Sequence, residues 1–217
     1  MSMSSDPAGR SGGSWLFIAA LFAVPFCLCI MQLSPLLSVY AALLPDSIPI
    51  GESAYSAANI GEGWRKIDTK DFTVYCEEGV DLNNVARRLR KKIFFFGRAP
   101  SYDEGDEKNV AYRLDSLFGR AMEILDMYPE MPKIKIKIFS DEDNLYKEYR
   151  KLTGSNGWAR AFYVHFYRTI FTSGDTITDS VMAHEMAHAI IDHYYKSIPS
   201  PQVSEALASY IDMHISD

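Results

Sequence analysis

The chain has 217 residues, 47% of them hydrophobic and 13% aromatic, with a net charge of -6. That length holds one domain of ordinary size plus an appendage. The acidic balance excludes nucleic acid as a main partner, because a polyanion needs basic surface, and three cysteines, two of them in one apolar run, exclude a disulfide framework.

Residues 1–14 are rich in Ser and Gly and read as a disordered tail. From Trp15 to Leu44 no residue is charged, and residues 15–33 alone reach the length of about 20 that a spanning helix needs. Pro25 is tolerated in such a helix. A cleaved signal peptide is the rival reading, with Val39-Tyr40-Ala41 as its cleavage site, but its apolar stretch should be only roughly 7–15 residues. A buried soluble helix is the third. The length favours a single transmembrane anchor over 15–44. Arg10 precedes it, whereas Asp46, Glu52 and Glu62 follow it before Arg65 appears, a bias that puts the folded part on the non-cytoplasmic side. Pro45, Pro49, Gly51, Gly61 and Gly63 mark 45–65 as a linker, and a folded domain is expected over 66–217.

Within that domain Phe72-Thr73-Val74-Tyr75-Cys76 alternates as a strand, with Cys76 as a small core residue. Asp81 is placed to cap a helix to about residue 96, with Leu82, Val85, Leu89 and Ile93 on one side. Its basic run, Arg87, Arg88, Arg90, Lys91 and Lys92, reads as a solvated face. A polar loop over 98–107 leads to a second helix over 108–128. Residues 133–139 (KIKIKIF) form the clearest strand, with the isoleucines on a buried face and the lysines on a wet one. Ser140 and Asp143 resemble a capping box opening a helix that stops at Gly154. Residues 158–173 favour one or two strands, bent near His165 to Arg168. A helix over 179–196 follows, capped by Thr178 or Asp179. Ser200 then precedes Pro201 as an N-cap precedes a first-turn proline. This order gives an α+β fold with a small mixed sheet, preceded by the anchor.

The chemistry lies in the last two helices. His184-Glu185-Met186-Ala187-His188 spells H-E-x-x-H, which on a helix puts two imidazoles on one face. Glu205, in the second turn of the next helix, is within reach of both. Two neutral imidazoles and one carboxylate form the ligand set of a catalytic zinc site with its fourth position left for water. Glu185 points about 100° away from His184 and is placed to act as general base on that water. Each part has a plainer explanation. A single histidine in an apolar helix is more often a hydrogen-bonded core residue, and Glu205 alone could serve the helix dipole. The pair, its helix and the downstream glutamate together favour one Zn2+ ion.

His184 to His188 with Ser204-Glu205-Ala206-Leu207-Ala208-Ser209-Tyr210 resembles the gluzincin metallopeptidases, in which H-E-x-x-H is followed by a glutamate ligand in an E-x-x-A-like helix. The upstream order of strands is similar to the peptidase MA-like domains of that clan, over roughly 66–217. The resemblance implies a zincin-like domain, His184, His188 and Glu205 as zinc ligands and Glu185 as base. It also implies that Thr169-Ile170-Phe171-Thr172-Ser173 is an edge strand able to hold an extended peptide. Larger gluzincins carry a further domain that supplies a Tyr or His to the oxyanion. That domain is expected to be absent here, since the chain ends at Asp217. His165, Tyr163, His193 and Tyr210 are candidates for its role. Asp192 and Asp212 are candidates to orient the ligating histidines, although helix-surface carboxylates are the plainer reading. The expected function is a membrane-anchored zinc metallopeptidase, an endopeptidase acting on peptide or protein substrates. A peptidase-like domain that binds zinc or a partner without turnover is the alternative.

Overall fold

The computed structural model describes residues 63–89, 106–197 and 199–215. The expected tail, the anchor over 15–44 and the linker up to residue 62 lie outside the described residues, as do residues 98–105 of the expected polar loop and the later part of the first expected helix. No helix among the described residues is long and apolar enough to cross a membrane.

The described chain is a mixed α/β fold with one five-stranded mixed sheet and five helices. Its strands are β1 (Arg65–Asp68), β2 (Phe72–Cys76), β3 (Ile134–Phe139), β4 (Ala161–Val164) and β5 (Thr169–Ser173), in the spatial order β1-β2-β3-β5-β4. β2, β3 and β5 run parallel at the centre, and an antiparallel strand flanks them on either side. The helices are α1 (Leu82–Arg88), α2 (Asp106–Leu125), α3 (Glu142–Thr153), α4 (Asp179–Tyr194) and α5 (Pro201–His214).

β1 is absent from the sequence expectation, for a local reason. Only Ile67 in Arg65-Lys66-Ile67-Asp68 is buried, so no alternation is visible until the segment pairs with β2. The β1–β2 turn is held from outside by Asp115 of α2. Its carboxylate accepts from Thr69 Oγ1 at 2.6 Å and from the N–H groups of Lys70 and Asp71 at 3.0 and 3.1 Å. Asp115→Ala leaves three donors without this acceptor, and hydrogen bonds to a charged group contribute about 1.5–3 kcal/mol each when removed. Partial exposure of the site reduces the total. We expect a loss of about 2–3 kcal/mol, read as a Tm drop of roughly 5–10 °C in thermal denaturation; an unchanged Tm would show that water replaces the clamp.

One sheet face carries Phe72, Val74, Cys76, Ile134, Ile136, Ile138 and Ile170 into the main core with α1, α2, α4 and α5. Burial pushes the Cys76 thiol up to about 12, which fits the expected core role. The opposite face is not wet. Lys137 is 5% exposed and lies over the Trp64 ring, while Phe139, Phe162 and Phe171 pack with Leu145 and Tyr149 of α3. The lysine stem is apolar, so alternating lysines do not by themselves mark a solvated face.

α3 begins one residue later than a Ser140 cap requires. The N–H and Oγ of Ser140 both donate to Glu77 Oε2 at 2.8 Å. Asp141 is the cap instead, accepting from the Asn144 N–H. Gly154 ends the helix with φ +65°, a left-handed conformation that suits glycine. α2 starts and ends two to three residues before the expected bounds, and α4 ends at Tyr194 rather than Lys196.

The hairpin after α3 corrects the edge strand. β5 pairs with β3 on one side and β4 on the other, so Thr169–Ser173 is internal and Ala161–Val164 forms the edge. All five residues of β5 are buried, as expected for a strand covered on both faces. His165–Tyr167 form a 3-10 turn between the two strands, and Arg168 closes it with φ +48°.

Candidate metal centre

α4 brings the site residues together because it is buried on nearly every side. Met182, Ala183, Met186, Ala187, Ala189, Ile190 and Ile191 are all 0% exposed, and Thr178 caps the first turn by accepting from the Val181 N–H. Its polar residues Glu185, His188 and Asp192 are buried as well, and His184 is only partly exposed. α5 packs beside it, with Pro201 in its first turn and Ser200 before it, although the Ser200 side chain makes no capping bond. Ser204, Glu205, Ala208 and Ile211 form the buried side of α5, so Glu205 faces α4.

His184, His188 and Glu205 converge. One donor atom from each lies within 4.8 Å of the others. The Nε2 atoms of the two histidines are 3.3 Å apart, His188 Nε2 is 3.5 Å from Glu205 Oε1, and His184 Nε2 is 3.6 Å from Glu205 Oε2. Donors at ~2.0–2.1 Å from a tetrahedral ion stand roughly 3.3–3.4 Å from one another, so the two imidazole nitrogens already have the spacing of two ligands on a zinc-sized cation, and Glu205 turns one oxygen toward each of them. Glu205 Oε2 is buried and makes no hydrogen bond among the described residues, with His184 Nε2 3.6 Å away; a buried anion of this kind needs a cation beside it, whether the charged imidazole or a metal ion.

Electrostatics in the protein without metal follow from the same crowding. Burial alone would lower the His184 pKa, but Asp212, Glu205 and Glu185 outweigh it and push it up to about 10. His188 moves the other way, to about 4, because burial and the neighbouring His184 charge both oppose a second proton. Burial works against ionising Glu205 as well, yet the two imidazoles hold its carboxyl below the usual range. The cluster thus keeps a proton on His184 between carboxylates, and a metal ion would replace that proton.

Glu185 projects elsewhere on α4 and is itself buried. Burial pushes its carboxyl up to about 7, partly countered by the His184 charge and by the Tyr163 backbone N–H that bonds to it. It is therefore tied to the edge strand β4 beside the ligand cluster, and does not belong to that cluster.

Of the two aspartates considered for orienting the candidate ligands, Asp212 contacts one of them, whereas Asp192 contacts His165, which lies outside the ligand group. Asp212 Oδ2 lies 3.1 Å from His184 Nδ1, which leaves Nε2 directed at the cluster. Asp192 Oδ2 lies 2.5 Å from His165 Nδ1, and this hydrogen bond raises the His165 pKa against the opposing effect of burial. Asp212 follows Glu205 by seven residues, two turns of the same helix face, and that spacing was the available signal. Asp212→Ala is expected to weaken zinc binding by about 10–100-fold, the usual cost of losing a group that orients a ligand. Competition with a chromogenic chelator measures it, and an unchanged affinity would return Asp212 to the surface reading.

The remaining oxyanion candidates separate. His193 Nδ1 is 2.9 Å from the Ala189 carbonyl oxygen, and Tyr210 is exposed and packs on His214. The Tyr163 hydroxyl is buried. Of the four, His165 alone is both half exposed and held by a buried acid. No protein-family profile, curated protein or solved structure matches this chain.

Proposed function

We propose that the chain is a zinc-dependent peptide hydrolase of gluzincin type, a zincin-like domain held at a membrane by residues 15–44 with its site on the non-cytoplasmic side. The observation that carries this reading is the convergence of two imidazole nitrogens 3.3 Å apart with a carboxylate whose two oxygens lie 3.5 and 3.6 Å from them. One zinc ion bound by His184, His188 and Glu205 would supply Lewis acidity toward a carbonyl and acidify a water. Glu185 supplies the proton-transfer group. Buried beside the cluster and pushed up toward neutrality, its carboxylate can take a proton at Oε and return it to a leaving amine. Asp212 fixes the His184 tautomer through Nδ1.

Main-chain recognition of an extended peptide falls to β4 (Ala161–Val164) in this arrangement, because β5 is internal. All four residues of β4 are buried, and this favours a second reading, a metal-binding peptidase-like domain without turnover. Metal analysis and cleavage of unfolded protein substrates by the wild-type chain and Glu185→Gln decide between them. The first reading requires zinc in both proteins and cleavage by the wild type only.

A further inference from the structure

Asp192 lies one helical turn beyond His188 on α4, so its carboxylate continues the row begun by His184 and His188. Its side chain is 0% exposed, whereas that of its partner His165 is 48% exposed. His165 immediately follows the edge strand β4. The pair therefore joins the active-site helix to the end of the strand that flanks the metal cluster.

Burial of the Asp192 carboxylate carries a desolvation cost that its contact with a half-exposed histidine offsets only in part. The arrangement does, however, fix an imidazole. Nδ1 is taken by Asp192 at 2.5 Å, which leaves Nε2–H as the donor for anything arriving from solvent. Arg168 closes the same turn and acts on His165 as a second positive charge. Asp192 also acts on His188, so the pair and the metal cluster share one electrostatic neighbourhood.

We propose that His165, positioned by Asp192, binds a carboxylate of the peptide through Nε2, so that the protein selects peptides with an acidic residue or a free C-terminus beside the metal site. This rests on the peptide-binding reading above, although not on turnover.

The test uses the full chain in detergent micelles and fluorescein-labelled peptides read by anisotropy. One peptide series carries Glu or Gln at each position in turn, and a second pair has a free or an amidated C-terminus. In the wild type one position, or the free terminus, should improve binding roughly 10-fold, the effect of one charge-assisted hydrogen bond. The two series distinguish a side-chain from a terminal carboxylate. His165→Gln should reduce that preference to within about twofold while neutral peptides bind as before and zinc content is unchanged. His165→Lys should retain part of it, which controls for a folding defect in the glutamine variant. A preference that persists in His165→Gln, or none in the wild type, overturns the proposal. So does equal slowing of neutral and acidic peptide cleavage with unchanged binding, which would place His165 at the reacting carbonyl. A chain that discriminates Glu from Gln but cleaves nothing fails the hydrolase reading and keeps this one. Cleavage without discrimination does the reverse.

Discussion

Glu205→Ala is expected to strip the protein of zinc while α4 and α5 stay in place. Among the described residues Glu205 is the carboxylate that contacts both His184 Nε2 and His188 Nε2. Without it two imidazoles on one helix remain, and an i, i+4 histidine pair lacks the third corner of a tetrahedral site. The fall in affinity should exceed that of Asp212→Ala, hence more than roughly 100-fold, because Glu205 would be a ligand and Asp212 acts only through one. Stability supplies an independent reading. Zinc that binds only the native state raises stability by RT ln(1 + [Zn]/Kd), about 2.7 kcal/mol at a free concentration 100 times Kd. Chelation should therefore lower the Tm of the wild type and leave the Tm of Glu205→Ala where it is. Removing a buried side chain could also disturb packing, so Glu205→Gln, which keeps the volume, accompanies it. Undiminished zinc affinity in both variants would return Glu205 to a helix-terminal carboxylate with no metal role.

The candidate site was legible because its signal is local. Helical periodicity alone puts His184 and His188 on one face, and Ser200-Pro201 fixes where the next helix starts, so Glu205 follows. Asp212 was within reach of the same logic, two turns on from Glu205. What sequence could not supply was the assignment of Asp192 to His165, since the two are 27 residues apart and belong to different elements.

Sheet order was the harder problem. The hairpin of β4 and β5 can be set against β3 by either strand, and local alternation does not choose. Ile170 faces the main core and Phe171 the second cluster, and a strand buried on both faces belongs inside the sheet. By that criterion Thr169-Ile170-Phe171-Thr172-Ser173 takes an internal position. The lysine face of β3 misled for a different reason: Lys137 is buried on the face that α3 covers, with its ammonium over the Trp64 ring, and Trp64 falls in a stretch that composition marks as linker. β1 has one buried residue and gains its identity only from β2. In each case the missing information was the neighbour, not the propensity.

Glu185→Gln is expected to keep the metal and the fold and to lose peptide hydrolysis by about 10²–10⁴-fold, the range for removal of a general base. Glutamine still accepts a hydrogen bond from the Tyr163 N–H but cannot take a proton. The metal-free protein should show a second, opposite effect. The folded carboxyl titrates at about 7 because of burial, above the ordinary value of about 4.3 for an exposed glutamate. The folded state therefore holds this proton more tightly than the unfolded chain does. That advantage is full below the unfolded pKa and is lost as pH rises through about 7. At neutral and higher pH the ionised group is a burden that the neutral amide of the variant does not carry. Melting curves of the two stripped proteins should nearly coincide near pH 4, and the glutamine variant should melt several degrees higher near pH 8, at roughly 2–4 °C per kcal/mol. A group whose ionisation destabilises the fold but serves a reaction is the expected trade at an active site. Loss of hydrolysis without that gain would mean that the carboxylate is solvated or paired in the folded protein. A gain in stability with equal, background-level cleavage by both proteins would remove the hydrolase reading and leave a metal site that does not turn over.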